Sequence, residues 1–229
     1  GELEEFVHDH RPHGELTGWT SVPAPKCYAF PSLKAILTIA SFALLLPIVA
    51  GCVSLTPQQE QSLAEIQQMA DEASRTYNLW RISFLVGPHI QGVGGRYKQG
   101  VITISTPLLT SPHRDALVAH ELAHAILHDM PMRGPTMHDY QRESELRELD
   151  ANAKAVEILA RVKGISEEQA LRMVYAHLLS FLRAFVAGRT VLPWGHKPPC
   201  EEIGDLLSRF PQHRSWAASL ECFRKERAP

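Results

Sequence analysis

The chain has 229 residues, 45% of them hydrophobic and 21% charged, with a formal net charge of -2. That balance is ordinary for a folded globular protein and excludes a chain disordered throughout. With no basic excess and no Lys/Arg cluster, it speaks against nucleic acid as a partner.

Residues 1–32 are polar, acidic at the start and rich in His, and no function is read from them. From Ala35 to Ala50 the chain carries no charge, with Lys34 before the run and Gly51-Cys52 after it. A bilayer-spanning helix needs about 20 apolar residues, so this run is short for a span. Pro47 near its end suits a cleavage region better than a helix interior. Val49-Ala50-Gly51-Cys52 resembles the lipobox of bacterial lipoproteins, although the short basic leader that normally precedes such a core is missing. The resemblance implies that residues 33–52 are a signal/lipobox or membrane anchor and that Cys52 is acylated. It further implies a membrane-tethered protein of the cell envelope, facing outside the cytoplasm. Cys200 and Cys222 are then an even pair outside the cytoplasm, which is compatible with a bridge.

Thr56-Pro57 opens a run in which Leu63, Ile66, Met69 and Ala73 recur at helical spacing; a threonine cap and a proline at the first helical position predict one long helix. Residues 80–86 (WRISFLV) and 101–105 (VITIS) are β-rich and predict two strands. Between them, residues 87–100 lack GxxxxGK[ST] and are read as a turn or substrate-edge loop, with Val101–Ser105 as the candidate edge that pairs with an extended peptide. Ser111-Pro112 opens a helix that ends near His128-Asp129. A second runs from about Arg142 to Val162 and is closed by Gly164, and a third starts at Ser166, with Gln169 in its first turn. In that third helix Leu171, Val174, Leu178, Phe181 and Phe185 read as core, while Arg172, Arg183 and Arg189 make burial in lipid costly. A Pro-rich loop from Leu192 and two short helical pieces finish the chain. Residues 57–229 are therefore expected to form one mostly helical α+β domain, with a small β-sheet preceding the central helix.

That central helix carries His120-Glu121-Leu122-Ala123-His124. Four residues advance a helix by about 400°, so the two imidazoles stand one turn apart on nearly one face and can reach one ion. Zn²⁺ takes neutral imidazole nitrogen, and a catalytic zinc site keeps a position for water. Glu121, beside the first ligand, is placed to act as general base, which together predicts a zinc metalloendopeptidase acting on protein or peptide substrates. The third ligand is sought among the acidic residues of the next helix. Glu148 shares a face with Ala151, Asn152 and Ala155, small neighbours that permit close approach, whereas Asp150 points about 200° away. Glu145 is the runner-up. Asn152, one turn beyond Glu148, is expected to orient a metal ligand.

HELAHAILH followed by Glu148-Leu149-Asp150-Ala151-Asn152 resembles the gluzincin metallopeptidases, above all the ImmA/IrrE-like group, over roughly residues 80 to 160. The resemblance implies a zincin-like fold, with His120, His124 and Glu148 as zinc ligands. Membrane-associated peptidases of the M48 type share this order of elements and suit an exported protein. ImmA-like regulators are usually cytoplasmic, and an export-like segment speaks against a repressor-cleaving role here. Metzincins are excluded because Leu127 and Met130 stand where a glycine and a third histidine are required. His128 lies one further turn along the helix and is read as a residue beside the metal ligands. Were it a fourth ligand, the site would be closed, and the protein would be the alternative, a non-catalytic exported zinc-binding protein with a metallopeptidase fold. Tyr140, His138 and His196 are candidate donors to a developing oxyanion, which spacing alone does not rank.

Overall fold

The computed structural model describes residues 54–87, 94–128, 136–193, 195–213 and 216. The segments read as an N-terminal extension and as a signal or anchor lie outside the described residues, as do Cys52 and Cys222. Cys200 is disulfide-bonded, to a partner outside the described residues.

The long first helix, α1 (Pro57–Tyr77), begins as its cap residues require. The Thr56 hydroxyl accepts from the Gln59 amide and the Gln59 side chain accepts from the Thr56 amide, so two otherwise unpaired amides are satisfied at once. Three strands follow: β1 (Ser83–Gly87), β2 (Gly95–Lys98) and β3 (Val101–Ser105). The sheet order is β1-β3-β2, with β1 parallel and β2 antiparallel to β3. Val101–Ser105 is therefore the central strand, hydrogen-bonded on both sides, and not the expected edge. The edges are β1 and β2. The hairpin between β2 and β3 turns on Gln99 and Gly100, at φ +46° and +82°, the paired left-handed geometry of a two-residue turn.

A 3₁₀ turn (Thr106–Thr110) leads into α2 (Arg114–Leu127), which carries the HExxH motif, and then come α3 (Met137–Lys163), α4 (Glu167–Val186) and α5 (Pro199–Ser208). Helix α2 is buried continuously from Ala116 to Ala125, because the sheet, α1, α3 and α4 all pack against it. A helix enclosed in this way can hold polar residues only where they are partnered. Helix α3 starts earlier than its apolar pattern indicates, because the Thr136 side chain caps it by accepting from the Asp139 amide. It closes on Gly164 at φ +63°. Ser166 and Gln169 form the reciprocal cap expected for α4, whose Leu171, Val174 and Leu178 are core residues, whereas Phe185 is exposed. Among the described residues, no helix is long and apolar enough to cross a membrane. The result is a mostly helical α+β domain with a small sheet ahead of the motif helix.

The start of α2 is fixed to the end of α3 by charge. Asp115, in the first turn of α2, is paired with Arg114 and with Lys163 from the last turn of α3, and Arg114 also reaches Glu65 of α1 at 2.9 Å. Burial pushes the Asp115 carboxyl up, but the hydrogen bonds from Lys163 and Arg114 outweigh it and hold the group below its usual value of 3.8. A carboxyl lowered in the folded state adds stability above its unfolded pKa and loses it as pH falls through the folded one. Asp115→Asn is accordingly expected to cost about 1 kcal/mol near pH 6. The gap in urea midpoint between the two proteins should close below about pH 4, and a gap unchanged at pH 3 would overturn this assignment.

Candidate metal centre

The motif helix delivers two imidazoles and α3 delivers one carboxylate to a common point. His120 Nε2 and His124 Nε2 are 3.1 Å apart, and Glu148 Oε2 lies 3.0 Å from the first and 3.4 Å from the second. The three residues are buried, with Glu148 only 4% exposed. Despite its close neighbours, Glu148 Oε2 makes no hydrogen bond. Three electron-pair donors facing one another in a buried space repel unless a cation lies among them. A point about 2 Å from all three atoms exists just off their plane, the distance at which zinc takes imidazole nitrogen and carboxylate oxygen. Two imidazoles and a carboxylate are a donor set suited to a first-row divalent metal.

The far nitrogens of both rings are held. His120 Nδ1 is 2.9 Å from Asn152 Oδ1, so the ring donates there and turns its Nε2 lone pair toward Glu148. His124 Nδ1 is 3.2 Å from His128 Nδ1. Burial, then the charge of His124, lowers the His128 pKa to about 3, so His128 is neutral; the tautomer in which His124 Nδ1 donates to His128 Nδ1 leaves the His124 Nε2 lone pair facing Glu148. Asn152 and His128 thus both contact the rings away from the convergence point, and His128 does not serve as a fourth ligand in this arrangement. Backing of this kind raises ligand basicity and fixes ring orientation.

Glu121 is 4% exposed and lies on the sheet side of α2, where its carboxylate accepts from the Tyr97 backbone amide of β2. Burial raises its pKa, opposed by the charges of His120 and His124. Strand β2 packs tightly on α2 at Gly95, where a Cβ would stand 3.1 Å from the Leu117 side chain. The remaining acidic candidates on α3 turn elsewhere. Glu145 accepts from Gln141, and Asp150 pairs with Arg209 of the C-terminal segment at 2.7 Å.

The C-terminal segment brings two further groups that sequence reasoning left unranked or missed. His196 Nε2 stands 3.5 Å from Glu148 Oε2, and its Nδ1 is 2.9 Å from Glu202 Oε1. Burial lowers the His196 pKa, but the charges of Glu148 and Glu202 and the Glu202 hydrogen bond outweigh it and push it up to about 9. Burial alone would raise the Glu148 carboxyl, yet the positive charge of His196 and His124 holds it well below the usual range. A signal for Glu202 exists in the sequence: it shares the apolar face of α5 with Ile203, Leu206 and Leu207, which announces a buried carboxylate. Of the other oxyanion candidates, His138 is exposed and Tyr140 half-buried in the first turns of α3.

Residues 82–187 match a peptidase family model described as an IrrE N-terminal-like domain. The matched stretch contains the sheet, the motif helix and Glu148, and ends before His196 and Glu202. Neither the curated proteins nor the solved structures yield a match to the chain. The family match and the buried cluster of His120, His124 and Glu148 together support a metallopeptidase-like function.

Because Asn152 holds His120 only through its far nitrogen, removing it should loosen the site without removing a ligand. In a titration with Co²⁺ followed by visible absorption, Asn152→Ala is expected to bind about 10- to 100-fold more weakly with the same band shape. Unchanged affinity would reduce Asn152 to a packing residue.

Proposed function

We propose that this protein is a zinc-dependent metalloendopeptidase that hydrolyses peptide bonds, with His120, His124 and Glu148 as zinc ligands and Glu121 as general base. The observation that carries the reading is the convergence of three buried ligand atoms within 4.8 Å of one another, with Glu121 following the first ligand in the same helix. Zinc bound there supplies Lewis acidity to a water and to the scissile carbonyl. Glu121 takes a proton from water as the water oxygen adds to the carbonyl carbon, and returns it to the leaving nitrogen as the C–N bond breaks. Burial favours this transfer by keeping the carboxylate poorly solvated. The Tyr97 amide limits its rotation, and β2, the edge strand next to Glu121, is the segment on which an extended peptide can lie.

We further propose that the enzyme is tethered to a membrane and faces outside the cytoplasm, as a bacterial lipoprotein acylated at Cys52. Support for this comes from the uncharged run 35–50 and the small residues that lead to the cysteine. Its substrates are then proteins or peptides of the cell envelope.

Glu121→Gln is expected to keep one zinc per chain while lowering peptide hydrolysis by 10²-fold or more; retained turnover would reject Glu121 as the base. By metal analysis, Glu148→Ala should lose zinc and Glu145→Ala should keep it. In a bacterial host, labelled palmitate should enter the wild-type chain and not the Cys52→Ala chain.

A further inference from the structure

The end of α4 differs in chemistry from the rest of the chain. None of the 25 acidic residues falls between Glu168 and Glu201, a stretch that carries Arg172, Arg183, Arg189 and Lys197. Among the described residues, three of the large exposed hydrophobic side chains, Phe185, Val186 and Val191, lie at this tip, with Val186 75% and Val191 64% exposed. Water-facing apolar groups so concentrated mark a contact surface. Beside them is a cavity of about 250 Å³ between the start of α2 and the end of α4, whose walls include His113, Tyr175, Leu179, Ser180, Arg183 and Arg189. Positions 175, 179, 183 and 186 of α4 share one face by helical spacing, so Val186 continues the cavity wall outward. Arg189 reaches the cavity because the helix stops on Gly188 at φ +65°. There the Gly188 amide donates to the Phe185 carbonyl and the Arg189 amide to the Ala184 carbonyl, the paired bonds of a left-handed helix end that turns the chain back.

Two exposed guanidiniums on a cavity with no carboxylate in its lining select a phosphate, which arginine meets with paired hydrogen bonds. His113 and Ser180 add donors of another kind. Burial lowers the His113 pKa, so at neutral pH the ring is uncharged and, like the Ser180 hydroxyl, suits hydroxyl groups better than a second charge. A free phosphate would leave the apolar tip without a partner. Arginines that make a lipid-buried span costly are favourable at the lipid–water boundary, where apolar side chains enter the acyl region and guanidiniums meet headgroups. We propose that this cavity binds the headgroup of an anionic phospholipid, with Arg183 and Arg189 on its phosphate and Phe185, Val186 and Val191 against its acyl chains. The site shares no lining residue with the small cavity beside His120, to which α4 contributes His177, Leu178 and Phe181, so the two can be tested apart. It fixes which face of the domain meets a membrane and does not depend on acylation of Cys52.

The test uses the full chain with dihexanoyl phosphatidylglycerol and dihexanoyl phosphatidylcholine, both below their micelle concentrations, and inorganic phosphate. By calorimetry the wild type should bind the phosphatidylglycerol about 10-fold more tightly than either other probe. Arg189→Ala should weaken that binding about 10-fold and Val186→Ser about threefold, whereas Arg75→Ala, which removes an exposed arginine of α1, should leave it unchanged. All three replaced side chains are exposed, and zinc content equal to that of the wild type checks that the fold is kept. On vesicles of about 30% phosphatidylglycerol in phosphatidylcholine, the amide hydrogens of residues 185–191 should exchange about threefold more slowly than on phosphatidylcholine alone. That reading is local, and an anchor elsewhere in the chain does not move it. No binding of the phosphatidylglycerol, an equal loss in Arg75→Ala, or exchange indifferent to lipid charge would each overturn the proposal. Inorganic phosphate bound as tightly as the lipid would overturn it too, by making the cavity a site for a free anion. Lipid binding that needs Arg189 while Cys52 takes up no palmitate would leave this assignment standing and sink the lipoprotein reading. Palmitate on Cys52 with lipid binding indifferent to Arg189 would do the reverse.

Discussion

A carboxylate oxygen enclosed by protein, close to two imidazole nitrogens and hydrogen-bonded to neither, is the interaction on which the rest of this structure depends. Glu148 Oε2 is in that position. Removing a carboxylate from water costs several kcal/mol even in favourable surroundings, so a fold that retains it without a hydrogen bond must offer another source of positive charge. Asn152 and His128 turn the two imidazoles so that each can present a lone pair to the same point. A divalent cation at the shared point would supply that charge and turn three repelling donors into three ligands.

This requirement explains features of the fold that core packing alone leaves arbitrary. The motif helix and α3 must approach closely enough for a glutamate to reach the imidazoles, and the small residues Ala119, Ala123, Ala151 and Ala155 are all fully buried. The approach must also be rigid, since a shift of about 1 Å would spoil a set of ligand distances of about 2 Å. Asp115, joining Arg114 and Lys163, ties the start of the motif helix to the end of α3, and Arg209 reaching Asp150 ties α3 to the C-terminal segment. The Arg209–Asp150 pair is solvent-exposed and stabilises little, whereas the Asp115 cluster is largely shielded from solvent.

What the sequence made legible is local or helical. The caps at Thr56 and Ser166, the glycine end at Gly164 and the i, i+4 spacing of His120 and His124 are contained within a few residues each, and the structure places them as read. Glu148 and Asn152 were legible because both lie on the small-residue face of α3. Strand β2 was not, because its hairpin turns on Gln-Gly, where the usual sequence cue is Asn-Gly or Asp-Gly, and its four residues are half hidden in a glycine-rich stretch. Without β2, Val101–Ser105 appeared as an edge when it is the middle of the sheet. His196 stayed unranked for a different reason. It lies 48 residues after Glu148 in the chain, and no periodicity links a loop histidine to a helix that far away.

The electrostatic balance shows why that distant segment belongs to the site. Glu121, Glu148 and Glu202 bring three buried carboxyl groups into one small volume, and a divalent cation offsets only two negative charges. His196 lies between Glu148 and Glu202 and is the group those two carboxylates drive toward its protonated form. Its positive charge offsets the third. Glu202 meets the ring at Nδ1 while Glu148 lies beside Nε2, so the two carboxylates approach the imidazole from opposite nitrogens.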